Sequence, residues 1–366
     1  MTEVPTGRVV TPDGVLDSGV VEVDGERITA VRDDGPGGDT WLVPGFVDIH
    51  VHGGGGHTFT TGDAESAREA ARFHLGHGTT TLLASLVSSP YPLMLAATRA
   101  FAALVGEGVI AGVHYEGPYL SQVRCGAQNP EHLRDPSLTE LADLVEAGAG
   151  AVRMVTVAPE RDGALDAIRW LVAHGVVAAV GHTDATYEQT LAAVAAGATV
   201  GTHVFNGMRP PHHRQPGPVY ALLGAPQVTC ELVADGVHLH DGTLAFAASV
   251  AGPRRTALIT DAIAAAGAAD GEYDLGGQRV TVADGVARLS RDGAIAGSTL
   301  TMDAALRRAV HAGLSMTDAC RAAATTPAAA IGLTDRGALV AGLRADLVEL
   351  DADLGVLRVM RGGTWV

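Results

Sequence analysis

The sequence predicts an α/β protein: a (β/α)8 TIM barrel with a small β-sandwich domain formed by both chain termini. Three observations carry this prediction. Between residues 46 and 332, apolar β-rich runs alternate with Ala-, Leu- and Glu-rich helical patterns, as repeated βα units do. Eight such runs occur, ending near His50, Ser85, Glu116, Val157, Gly181, His203, Val233 and Thr260. Both chain ends read as short strands between turn signals, too short to bury a face alone, so they are expected to pair with one another beside the barrel.

Taken in order, Arg8-Val9-Val10, Gly19 to Val23 and Arg27 to Val31 are strand-like pieces separated by Pro12-Asp13-Gly14 and Asp24-Gly25. They place residues 1–45 in the sandwich. The barrel follows over 46–332, with helical patterns at Ala64 to Gly76, Pro92 to Leu104 and Tyr187 to Ala196. Gly271 to Ser290 breaks the rhythm and reads as a β-hairpin insertion after the last strand. Residues 333–366 complete the sandwich with Ala345 to Leu350 and Gly355 to Met360.

Composition narrows the chemistry. The 366 residues carry 25 Lys+Arg against 41 Asp+Glu, a net charge of −16, which disfavours nucleic acid and anionic membranes as partners. No lysine occurs, so Schiff-base chemistry, a carbamylated lysine and a lysine-bearing phosphate loop are excluded. Cys125, Cys230 and Cys320 are too few and too widely spaced for a disulfide framework or a thiolate metal site, as expected of a cytoplasmic protein. Met1 to Pro5 lack the pattern of a signal peptide, and no apolar run is long enough for a membrane span.

Candidate ligands stand where apolar strands end. In Val47-Asp48-Ile49-His50-Val51-His52 the two histidines at i, i+2 project to one face of a strand and can reach one cation. Gly112-Val113-His114-Tyr115-Glu116 ends in a carboxylate that burial penalises unless it is paired or metal-bound. The apolar runs reaching His182 and His203 each end in an imidazole, and with Glu116 they supply the three ligands of a catalytic metal site. Asp261 closes Ala257-Leu258-Ile259-Thr260. It reads either as a helix cap or as the general acid and base of such a site.

Pro44-Gly45-Phe46-Val47-Asp48-Ile49-His50-Val51-His52-Gly53 resembles the amidohydrolase opening signature, and Gly337-Ala338-Leu339 to Leu343-Arg344-Ala345-Asp346-Leu347-Val348 is similar to that superfamily's closing segment. Within it, His114 to Pro118, Gly181-His182-Thr183, His203 to Met208 and Ala234 to His238 resemble the N-acetylglucosamine-6-phosphate deacetylases. The resemblance implies metal-dependent removal of an acetyl group from that sugar phosphate, with the galactosamine epimer or a catalytically silent phosphosugar-binding role as alternatives. It makes Glu116, His182 and His203 the main metal ligands and Asp261 both the acid/base and a further metal ligand. His50 and His52 imply a second ion bridged by Glu116, the role that a carbamylated lysine fills in other amidohydrolases.

The implied cofactor is one or two divalent metal ions, zinc first, with Fe, Mn or Co as alternatives. By the same resemblance Arg214 and His238 meet the substrate phosphate, a guanidinium being able to grip it bidentately. By its loop setting alone Arg214 is an ordinary solvated arginine. Asn206, Gly207, Ala127, Gln128, Ile295, Ala296 and Gly297 match substrate contacts; many members carry Ala where Gly207 stands. The family implies a homodimer. Cys125, beside Arg124 in the loop after Glu116, is read as a thiol that a neighbouring cation can acidify.

Overall fold

Apolar runs buried on both faces form parallel strands without the in-out alternation of a half-exposed sheet. In the computed structural model, which describes residues 5–366, eight of them make the barrel: β1 (Phe46–Val51), β2 (Thr79–Val87), β3 (Gly112–Glu116), β4 (Val152–Val157), β5 (Val177–Val180), β6 (Val200–Gly201), β7 (Thr229–Val233) and β8 (Thr256–Ile259). The reading of the leader at Met1 to Val4 lies outside the described residues. Each strand pairs in parallel with the next, and every expected strand end falls within two residues of the observed one.

The ring closes between β1 and β8 through residues just beyond the strands. Asp261 N donates to His50 O at 2.9 Å and His52 N donates to Ala262 O at 2.8 Å. The buried Asp48 carboxylate reinforces this seam, accepting from Thr260 Oγ1 at 2.5 Å and from His50 N at 3.2 Å. Burial pushes its pKa up to about 7, and those hydrogen bonds pull against the rise. Between strands run the helices. Ala64–Gly76 starts where Asp63 caps Ser66 N and buries Ala67, Ala70, Ala71 and His74, while Tyr187–Ala195 starts with a capping box between Thr186 and Gln189.

Both chain ends enter one sheet of seven strands, in which Leu347–Leu350 pairs antiparallel with Trp41–Pro44. That sheet folds back on itself. Ile28 N donates to Leu343 O at 2.9 Å and Gly342 N to Ile28 O at 2.7 Å, so the edge strand Arg27–Arg32 returns to the segment leading into Leu347. The sandwich-like core thus enclosed holds Val9, Val21, Ile28, Leu42, Leu347 and Met360.

The insertion differs from the expected two-stranded hairpin: it is a three-stranded antiparallel meander, Gly271–Leu275, Gln278–Ala283 and Val286–Leu289. The extra strand comes from Asp284-Gly285, both at positive φ, a two-residue turn that reverses the chain after Ala283. Leu275, Val280 and Leu289 pack with Val87 and Ile263, which fixes the meander over the carboxyl ends of the barrel strands.

Candidate active site

The structure brings His50, His52, Glu116, His182, His203 and Asp261 together at the carboxyl ends of the barrel strands, each of them buried. Glu116 is the hub. Its Oε1 lies 2.9 Å from both His182 Nε2 and His203 Nε2 and 3.5 Å from His50 Nε2, while Oε2 lies 3.3 Å from His52 Nε2. On the other side His52 Nε2 is 3.3 Å from Asp261 Oδ1. Three of these residues hold strained backbone, with φ of 45° at His182, 27° at His203 and 50° at Asp261. Strand geometry alone would not aim them inward.

The outer ring nitrogens of His50, His52 and His182 are tied down, whereas His203 Nδ1 is buried with no partner among the described residues. His52 Nδ1 meets Ser85 O at 3.2 Å and His182 Nδ1 meets Arg124 O at 2.8 Å. A carbonyl can only accept, so each Nδ1 carries a proton and each Nε2 faces inward, where it can take up a proton or a metal ion. His50 Nδ1 is held by Glu231 Oε2 at 3.1 Å. Nε2 of His50 lies 3.2 Å from Nε2 of His52, and the same spacing separates His182 from His203. Lone pairs and carboxylates so crowded need a cation between them, which is the donor chemistry of a divalent metal. His50, His52 and Asp261 form one group able to hold an ion, and His50, Glu116 and His203 another.

The carboxylates make the centre attractive to positive charge, a proton or a metal ion alike. Burial would raise the pKa of Glu116, but the imidazoles of His50 and His182 outweigh it and hold the carboxyl well below its usual range. Burial opposes a charged His52, yet Asp261 and Glu116 push its pKa up to about 9.

Around this floor lies a cavity of about 250 Å³ whose walls include Ala127, Gln128, Asn206, Gly207, His238, Ile295 and Gly297. Gln128 is committed to structure: its Nε2 donates to Glu116 Oε2 at 2.6 Å and its Oε1 accepts from Ser88 N at 2.7 Å. Gly207 has φ 59°, and a Cβ there would stand 2.7 Å from His182 Nδ1, so this chain's close packing uses the glycine. His238 Nδ1 bonds Asp235 Oδ2 at 2.7 Å, and its Nε2 lies 3.9 Å from Asp261 Oδ2.

Two expected contacts sit elsewhere. Ala296 is turned into the core between Ile295 and Gly297. Arg214 is exposed outside the cavity lining, its guanidinium bonded to His213 Nε2 at 2.8 Å, because its loop turns back on itself between His212 and Gln215. Cys125 is half-buried, and the cation expected to acidify it is taken, since Arg124 Nε pairs with Asp184 at 2.8 Å.

Sequence reasoning missed Glu231 and Leu275. Glu231 is fully buried on β7, accepting from His203 N at 3.2 Å and holding His50. Its signal was present: an acid inside the apolar run Val228 to Val233 costs too much to be incidental. Leu275 lines the cavity from the meander.

Comparison with known proteins follows this geometry. Residues 41–366 match the model of the Amidohydrolase family. An N-acetylglucosamine-6-phosphate deacetylase from Vibrio furnissii is 37% identical over 98% of this chain and 89% of its own. An N-acetylgalactosamine-6-phosphate deacetylase from Escherichia coli O157:H7 is also 37% identical, over 87% of this chain and 85% of its own. A crystal structure of the N-acetyl-D-glucosamine-6-phosphate deacetylase of Mycobacterium smegmatis, a mutant bound to N-acetyl-D-glucosamine-6-phosphate, superposes with a TM-score of 0.96 at 47% identity, covering 98% of both chains. With the barrel, the closing sheet and the Glu116-centred donor set in agreement, the chain belongs to the amidohydrolase family and, within it, to the group that the N-acetylglucosamine-6-phosphate deacetylases form.

Proposed function

We propose that the protein hydrolyses the N-acetyl group of N-acetylglucosamine 6-phosphate to glucosamine 6-phosphate and acetate, in amino-sugar catabolism or cell-wall recycling. The observation that carries this is the convergence of Glu116, His182, His203 and Asp261 on the floor of a cavity walled by Gln128, Asn206 and His238. Relatives named for this activity across nearly the whole chain support it. Glu116, His182 and His203 would hold a divalent metal, zinc first for nitrogen and oxygen donors, with His50 and His52 toward a second ion and Fe, Mn or Co as alternatives. Bound there, the metal supplies polarisation of the acetyl carbonyl and acidification of a water.

The protein's own groups do the rest. Asp261, strained into the cavity, accepts the proton of the attacking water on a carboxylate oxygen and delivers it to the sugar nitrogen as the C–N bond breaks. Asp235 fixes the His238 ring so that Nε2 faces the substrate, on the side where Asp261 also lies. Asn206, Gly207 and Ala127 position the sugar. Gln128 steadies Glu116, and Leu275 of the meander with Ile295 beyond it gives the cavity an apolar wall. Arg214 is assigned to the phosphate; lying outside its own cavity, it reaches a substrate only by loop movement or from a second copy, which joins this assignment to the proposed homodimer. The cytoplasmic setting and the division into 1–45, 46–332 and 333–366 are part of the same proposal. Among the described residues no helix is long and apolar enough to cross a membrane.

A second reading, the galactosamine epimer as substrate, is favoured by the match to the Escherichia coli protein. Acetate release by purified, metal-quantified protein from both sugar phosphates and from unphosphorylated N-acetylglucosamine separates these. Fast turnover of N-acetylglucosamine 6-phosphate, with little on the free sugar, is expected. Preference for the epimer moves the assignment to it, and no turnover with metal bound leaves a silent phosphosugar-binding protein.

A further inference from the structure

At the opposite end of the barrel lies a second cavity, of about 220 Å³, that the deacetylase reading does not use. Its floor is the amino ends of the strands: Thr81 on β2, Ile110 and Ala111 just before β3, and Arg153 on β4. Arg336, Arg344 and Arg361, from the last thirty or so residues of the chain, close it from the other side. Because the chain has no lysine, the residue type is set by composition. Its placement is not, for no carboxylate stands among the lining residues of a protein whose net charge is −16.

Two of these cations are answered and two are not. Arg336 Nε pairs with Asp335 at 2.9 Å, and Arg344 Nε pairs with Asp346 at 3.1 Å. Among the described residues Arg361 bonds only backbone oxygens, those of Gly108 and Val109, and Arg153 Nε is buried without a partner. Burial, together with Arg344 and Arg336, lowers the pKa of Arg361 against the pull of Asp346. The backbone makes room for this arrangement. A Cβ on Gly112 would stand 2.3 Å from Arg153 Cγ, and one on Gly362 would stand 2.6 Å from Arg344 Nη2. Guanidiniums held close around open space, at a cost in mutual repulsion, lack a multiply charged oxyanion.

We infer that this amino-terminal mouth binds a phosphate group, free or as the ester of a small sugar, through Arg153 and Arg361 with Arg336 and Arg344 as the outer wall. Its volume is close to that of the active-site cavity, and the two lie roughly 20 Å apart, the length of a barrel strand. The site stands independently of the substrate assigned above.

The test is calorimetric titration at fixed ionic strength with inorganic phosphate, then with glucosamine 6-phosphate, on the wild type, on Arg153→Gln/Arg361→Gln and on His238→Ala. The double variant is expected to bind phosphate about tenfold or more weakly, the worth of lost charge-assisted hydrogen bonds, with kcat/KM for deacetylation kept within about twofold. His238→Ala should keep this phosphate binding. Should the sugar phosphate lose affinity in the double variant as well, the physiological ligand is the ester; if only inorganic phosphate does, it is the free ion. Crystals of the wild type soaked in tungstate provide a readout that needs no variant: an anomalous peak beside Arg153 and Arg361 is expected. Unchanged phosphate affinity in a folded double variant, or tungstate confined to the active-site cavity, would overturn the proposal.

Discussion

At the carboxyl ends of the barrel strands, imidazoles and carboxylates sit within 2.9–3.7 Å of one another and nearly every outer nitrogen is tied to a named partner. The amino ends of the same strands present guanidiniums to open space, two of them without a carboxylate. Backbone strain separates the ends further: His182, His203 and Asp261 lie at positive φ, whereas Arg153, at a register shift between Val152 and Met154 in the strand pairing, does not. The difference teaches what each kind of chemistry demands of a fold. Bond making and breaking needs donor atoms fixed to fractions of an ångström, and the chain accepts strain to fix them. Holding an anion needs charge and room.

The comparison breaks most sharply at Asp261. Replacing it with Asn keeps size and hydrogen bonding but removes the basic oxygen, so kcat should fall by about 10²–10⁴ while metal content and the affinity of the arginine mouth stay put. Metal analysis beside kinetics checks this. Turnover near wild type, or an apo protein, contradicts the role given to Asp261.

Next in size is a pH effect that one end has and the other lacks. His74 is fully buried, its Nε2 2.8 Å from Gly53 O at the active-site end, and burial lowers its pKa to about 4. The unfolded chain, with a histidine near its ordinary value, takes up a proton first as the pH drops. Stability is therefore complete above about 6.5 and is lost progressively down to about 4, by about 3 kcal/mol in all. His74→Gln, which can still donate to Gly53 O, should flatten this loss in denaturation curves taken between pH 7 and 4. An unchanged pH slope would mean that His74 is charged in the fold. Arginines do not titrate in this range, so Arg153→Gln should leave the slope alone.

Smaller again is Glu231→Gln. The amide keeps one acceptor for His203 N but loses the negative charge behind His50, so affinity for metal should weaken about 10- to 100-fold with the fold intact. Metal titration of the apo protein reads it, and equal affinity would reduce Glu231 to a packing residue.

Legibility in the sequence follows from these contrasts. Strand ends were readable because a polar letter after a fully buried apolar run is rare; Glu116, His182, His203 and Asp261 announce themselves in this way. Glu231 stands inside such a run, where its neighbours read as packing. Val286–Leu289 is four residues long, too short for an alternation to register before the Asp284-Gly285 turn is recognised. The arginine mouth could not be read at all: Arg153 and Arg361 are more than two hundred positions apart, and only the closure of the terminal sheet beneath the barrel brings them to one cavity. Arg214 shows the reverse. A matching motif names a residue's type, but where the guanidinium points is settled by a loop whose turn the motif does not encode.

The smallest effect concerns how the meander is joined to the site. Arg291, exposed, bonds Gln278 Oε1 at 2.9 Å within the meander's neighbourhood and Gly126 O at 3.1 Å on the loop that carries Gln128. Gln128 keeps its own grips on Glu116 and Ser88, so the loop does not depend on the arginine. Arg291→Ala should then raise KM about two- to fivefold, the worth of one exposed hydrogen bond, with kcat unchanged. A fall in kcat of tenfold or more would instead mean that Gln128 is held from the meander side. The insertion would then belong to the catalytic end of the barrel as firmly as the strands do, and the line between a rigid floor and a packed wall would have to be redrawn through Gly126.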